Sequence, residues 1–438
     1  MPTVLYTADV VCPMSGPPLE RAGVLVEGER VVAVAEADRL RDGAHRVHHT
    51  PGVLLPGLVN GHSRVELADA HRLARRGPHH VWVAALARLL TTWDDDRWRR
   101  SAHRGVQQLL RGGVTATADV VHRGPGVPAA ARAGLVGASF VDVSMVDRRN
   151  HDAVLAAVER ALGLPAAGRR VGIAPGGAHL LGTGVLRALC TLAERTGAPL
   201  LVPAAASQAE VVALWHADGP LAELARDEGM DFEWLAGGGT ELTPVRYLAQ
   251  VGALTSRTTL VHGCWIEDNE AALLAGLGVG IVCCPRANTL LQAGDAPLER
   301  FGQAGVKLAL GTDSAAAAPD ADLLAEAAAW VGLARRRGLA FWPSGVGPIP
   351  LEEAALRLAT VDGARTLGWG DRAGLLEPGR RADFVVVDVA TTADAVWGDV
   401  IEQGPGRLVL TAVGGVRKAR RPDAGTPWPV IDHDEPAA

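Results

Sequence analysis

No stretch of this 438-residue chain holds enough consecutive apolar residues to cross a bilayer, although 48% of its residues are hydrophobic. The opening MPTVLYTADVVCPMSG lacks a basic region followed by an apolar run and a cleavage site, so no leader is predicted. Cysteine is scarce. Cys12, Cys190, Cys264, Cys283 and Cys284 form no CxxC pair and no disulfide framework, which predicts a reducing, cytoplasmic setting. A cationic surplus is also missing, with 43 Lys and Arg against 49 Asp and Glu. The short clusters Arg75-Arg76, Arg335-Arg336-Arg337 and Arg380-Arg381 are scattered, so the sequence lacks the footprint of a nucleic-acid binder. No GxGxxG follows a strand and opens a helix, which argues against an open dinucleotide-binding sheet. Only two tyrosines accompany eleven tryptophans, and no aromatic stripe marks a ligand box.

What is present is a change of texture along the chain. Residues 1–55 read as short strands (TVLYTADVV, AGVLVEGERVVAVA, HRVHHTPGVLL) with turn signals between them. From residue 56 short apolar strands alternate with long Ala/Leu/Arg segments of helical spacing. The strand candidates are LLPGLVN, VTATADVV, VGASFVDVS, RVGIAP, PLLVPAA, TTLVHG, VGIVCCP and VKLALGTD. Eight such repeats predict an α/β fold, a closed (β/α)₈ TIM-type barrel over 56–369, whose site lies just beyond the strand ends. Strand texture returns after residue 370 in RADFVVVDV, RLVLTAVGGVRKA and WPVIDH. The expected layout is therefore a small β-sandwich-like module from 1–55 plus 370–438 beside the barrel, with the tail DHDEPAA frayed.

PGLVNGH, LVHGCWIEDNEAALLAGLGVGIVCCPRANTLL, LALGTDS and AGLLEPGRRADFVVVD together resemble the amidohydrolase superfamily, in consistent order over nearly the whole chain. Within it the likeness is to the aminohydrolase branch that includes chlorohydrolases and the guanine and aminofutalosine deaminases. The resemblance implies hydrolysis of a carbon–nitrogen bond in a small, nitrogen-containing cyclic substrate. It also implies zinc or iron held by His-x-His after the first barrel strand, a histidine after the fifth and an aspartate after the eighth. A glutamate three residues past the fifth-strand histidine would shuttle protons, and a sixth-strand histidine would orient water. Here His62, His262 and Asp313 match, whereas Arg64, Pro203 and Ala206 stand at the other three positions, and Gly176 replaces a Pro-His substrate contact. The expectation is accordingly a degenerate site without a cofactor, performing metal-independent chemistry that need not be hydrolytic. The alternative is a catalytically silent pseudoenzyme binding a ligand or partner subunit.

Within that expectation the catalytic candidates are His62, Arg64, His262 and Asp313. Arg64 shares a strand face with His62 and would place its guanidinium where the metal would be, paired with Asp313. His262 would be the acid/base group, since imidazole titrates near neutrality; a packing histidine is the other open reading. Glu66, His179, Trp265, Arg286 and Asn288 are candidate substrate contacts. Each also has an ordinary reading as a surface, loop or packing residue. Cys264 shares a face with His262 but reads better as a small buried thiol. The partner expected is a small molecule, with neither nucleic acid nor membrane, and a homodimer is one option the resemblance brings.

Overall fold

A computed structural model describes residues 2–164, 166, 168–345 and 347–428. The expected strand WPVIDH, beyond Trp428, and the tail DHDEPAA lie outside the described residues. Five strands open the chain: β1 Thr3–Val11, β2 Leu19–Glu27, β3 Arg30–Glu36, β4 Arg46–His49 and β5 Val53–Pro56. Eight more are spaced by helices: β6 Leu58–Ser63, β7 Val114–Val121, β8 Val136–Val143, β9 Arg170–Pro175, β10 Leu200–Ala204, β11 Thr258–His262, β12 Gly280–Cys283 and β13 Leu308–Leu310. A two-stranded ribbon, β14 Phe341–Trp342 with β15 Ile349–Pro350, precedes β16 Phe384–Val387, β17 Leu408–Val413 and β18 Val416–Arg420.

β6 to β13 form one parallel sheet in sequential order, a (β/α)₈ barrel. It closes where the Asp313 N–H donates to the His62 carbonyl at 2.9 Å, making a parallel bridge between Ser63 and Asp313. Two glycines permit that closure. A Cβ on Gly61 would come within 2.9 Å of Val282 and 3.0 Å of the Leu310 carbonyl, and one on Gly311 within 2.8 Å of the His62 nitrogen. Only a residue without a side chain lets the two strand ends meet so closely.

The barrel interior is packed with small and branched residues, among them Val59, Ala116, Ala118, Ala138, Leu201, Val261, Val282 and Ala309. Part of the chain's heavy alanine usage thereby fills the tapered interior of a closed sheet.

The second sheet runs β18-β17-β16-β5-β1-β2-β3, with β4 beside β1, so both ends of the chain build it. The apolar run from Val53 divides at Gly57: β5 pairs with β1 and β16, whereas β6 enters the barrel. That division hands the chain directly from one sheet to the other. No helix among the described residues is long and apolar enough to cross a membrane.

Candidate active site

The C-terminal strand ends surround a cavity of about 190 Å³. β6 delivers His62 to its floor, fully buried, with Nε2 3.4 Å from Asp313 Oδ1 and neither ring nitrogen engaged in an aligned hydrogen bond. β11 ends on His262, whose Nδ1 donates to Asn288 Oδ1 at 2.8 Å, leaving Nε2 as the free nitrogen. Asn60 clamps the far side, donating to Thr312 Oγ1 and accepting the Thr312 N–H. His262 and Asp313 both hold positive φ, 76° and 58°. That conformation is costly for residues bearing a Cβ and is maintained here by the closed barrel around them.

His62, His262 and Asp313 each bring one donor atom into a group whose members lie within 4.8 Å of one another. The electrostatics suit a cation. Burial favours a neutral Asp313, but its contact with His62 and the nearby His262 and Arg64 outweigh that and hold the carboxyl well below the usual range. Burial, opposed by Asp313, lowers His62 and keeps its imidazole neutral, the form that ligates. Three protein donors with room for water is the composition of a catalytic zinc site.

The profile of the amidohydrolase family matches residues 53–423. The chain belongs to the amidohydrolase family. This amidohydrolase is 30% identical over 329 residues to an aminodeoxyfutalosine deaminase of Deinococcus radiodurans, covering 71% of the present chain and 76% of that one. It is 26% identical over 426 residues to a 5'-deoxyadenosine deaminase of Methanothermobacter thermautotrophicus, covering 94% and 90%. An adenosine deaminase from Xanthomonas campestris, solved with bound zinc, shares the fold with a TM-score of 0.76 at 21% identity, covering 98% and 94%. The protein is therefore an enzyme of the amidohydrolase type.

The expectation of no cofactor is corrected by these findings. His62, His262 and Asp313 form a group that can hold a metal, and the zinc-bearing deaminase shares the fold. The sequence expectation gave His262 to acid/base work; barrel closure sets it beside His62 and Asp313, so the group offers three donor atoms.

Arg64 does not fill the site. Its Nη1 lies 3.3 Å from His122 Nε2 and 3.7 Å from Asp142 Oδ1, and only its Nε approaches Asp313, at 4.0 Å. The Asp142 carboxylate draws the guanidinium to the wall. Burial works against that charge, but His122, the Arg64 guanidinium and the Ser144 hydroxyl outweigh it and hold Asp142 below its ordinary value.

Of the expected substrate contacts, His179 lines the cavity, buried, with its Nδ1 3.9 Å from Glu210 Oε1. Four others do not line it. Glu66 is buried and accepts the backbone N–H groups of His122, Arg123, Gly124 and Gly126, bracing the turn after β7. Trp265 lies in a separate groove, its indole donating to the Ala293 carbonyl at 2.7 Å. Arg286 is held by a two-pronged pair with Asp320 at 2.7 and 2.8 Å. Asn288 acts behind the site, through its bond to His262. Gly176 does line the cavity, but a Cβ there would meet Ser144 Oγ at 1.7 Å, so Ser144 takes the room of the expected histidine contact. Cys264 is a packed thiol that burial pushes well above its ordinary value.

Sequence reasoning missed His79, His122, Asp142 and Glu210, all cavity residues. Asp142 and His122 carried a signal, since they sit at or just past the ends of β8 and β7. His79 comes from the helix His79–Leu90, which lays Trp82, Leu86 and Leu90 over the mouth, and had no signal.

Proposed function

We propose that this enzyme deaminates an adenosine-like nucleoside by hydrolysing its exocyclic carbon–nitrogen bond, with one divalent metal held by His62, His262 and Asp313. The reading is carried by that donor group at the floor of a cavity whose walls are largely apolar. When bound, such a metal lowers the pKa of water from about 15.7 to about 7, supplying hydroxide at neutral pH. Asp313 contributes a fixed anion and His62 a neutral imidazole, while Asn288 orients His262 by holding its Nδ1–H. The names of the relatives, deaminases of aminodeoxyfutalosine and 5'-deoxyadenosine, support a purine nucleoside as substrate.

The chain's own groups suit that ligand. Trp82, Leu86 and Leu90 form an apolar wall that excludes water and offers a flat indole face to a base. Arg64 also lines the cavity, its Nε buried without a hydrogen-bond partner, a donor that an electronegative atom of the substrate would satisfy. The test is ammonia release from adenosine, 5'-deoxyadenosine and aminodeoxyfutalosine by zinc-loaded protein, alongside metal analysis. We expect one metal per chain and turnover of at least one nucleoside. A protein that retains no metal and turns over none of the three would refute the reading.

A further inference from the structure

Position 206, where the family resemblance implies a proton-shuttling glutamate, is an alanine, so a hydrolytic site needs another group to move protons. The cavity wall holds one pair that nothing else in the proposed reaction uses. His179 is 4% exposed, and neither of its ring nitrogens has a hydrogen-bond partner. Beside it lies Glu210 on the helix Gln208–His216, 1% exposed, its two oxygens accepting the N–H groups of Ala205 at 3.1 Å and Ala206 at 2.8 Å. The carboxylate is thus fixed by the same turn that lost its own side-chain acid. Burial disfavours its charge, but His179 and the Ala206 N–H outweigh that and hold it below the usual range. Gly177, at φ 106°, lies against the imidazole: a Cβ there would sit 3.0 Å from His179 Cε1.

We propose that His179, positioned by Glu210, carries the proton from the attacking water to the departing nitrogen, an inference that rests on the deaminase reading. Glu210 faces Nδ1 and favours the Nδ1–H tautomer, which leaves Nε2 as the unpartnered nitrogen of a residue in the cavity wall. Their separation is 3.9 Å, longer than a hydrogen bond, as catalytic contacts commonly are before substrate binds. Water adds its oxygen to the amino-bearing carbon, and His179 Nε2 takes one of its protons. The carbon–nitrogen bond then breaks, Nε2 returns that proton to the departing amino group, and ammonia leaves. The second water proton ends on the adjacent ring nitrogen, giving the keto product and restoring His179.

The experiment compares metal-loaded wild type, His179→Asn, His179→Gln and Glu210→Gln. Both His179 variants should lose about 10²-fold in kcat with little change in KM, and should keep their metal. Undiminished kcat in a folded His179 variant overturns the proposal. So does loss of bound metal, since His179 would then be a ligand. The second readout needs no turnover: in ¹⁵N spectra the His179 ring should be a single Nδ1–H tautomer in wild type and mixed in Glu210→Gln. Identical tautomers overturn the role of Glu210. A metal-loaded wild type inactive on every nucleoside overturns the deaminase reading instead, and the spectra still decide whether the pair exists.

Discussion

Asp313 at the barrel mouth and Glu326 on the helix Leu323–Arg336 are both buried carboxylates, yet they take opposite charge states. Burial raises each. Around Asp313 stand His62, His262 and Arg64, and together they override it. Glu326 has one nearby guanidinium, Arg286, whose two-pronged bond is already given to Asp320, and burial wins, pushing the carboxyl up to about 8. Whether a buried acid stays ionised or becomes a protonated packing group is decided by how many hydrogen-bonding and charged groups face it, not by depth alone.

Removing the charge at the first of these positions should have the largest effect. Asp313→Asn keeps the shape but withdraws the anion, and metal affinity should fall by more than the 10- to 100-fold typical of losing a residue behind a metal ligand, so more than about 10²-fold. Metal titration against a chelator measures it, and retained affinity would break the contrast.

The same change at Glu326 should stabilise. Its carboxyl, ordinarily near 4.5, titrates at about 8 in the fold, so the group's contribution is complete below about pH 4.5 and is lost as pH climbs through 8. Glu326→Gln should differ by less than about 1 kcal/mol at pH 5 and gain roughly 4 to 5 kcal/mol at pH 9 in urea unfolding. A gain independent of pH would show that the acid is not protonated in the fold.

Asn288→Ala should weaken metal binding about 10- to 100-fold by freeing the His262 ring. Its unfolding midpoint separates that from general loss of structure. The smallest change is expected in the neighbouring groove, where Trp265→Phe should cost about 1 kcal/mol for the lost bond to Ala293 and leave turnover unchanged. A large fall in kcat would return Trp265 to the site.

All eight barrel strands were legible because each is a short apolar run between helical segments, and VTATADVV and RVGIAP coincide with their strands end to end. His62, His262 and Asp313 were legible through motifs at strand ends. Glu66 was misread because the alternation that places Arg64 with His62 stops there: Val65–Leu73 winds into 3₁₀ helix and turns the carboxylate toward backbone donors. Arg286 and Trp265 failed for a different reason. Both follow barrel strands, but their side chains found partners in Asp320 and Ala293 outside the mouth.

The sequence by itself determined the strand and helix order and the family, because hydrophobic periodicity and motif spacing are local and survive without knowledge of contacts. It also determined which residue types are absent from positions 64, 203 and 206. Only the tertiary structure decided that His62, His262 and Asp313 remain a usable donor group and that Arg64 turns to Asp142. Only it placed His179 beside Glu210. Those outcomes depend on barrel closure, which brings residues about 30 to 250 positions apart to within a few ångströms and lets burial and charge compete there.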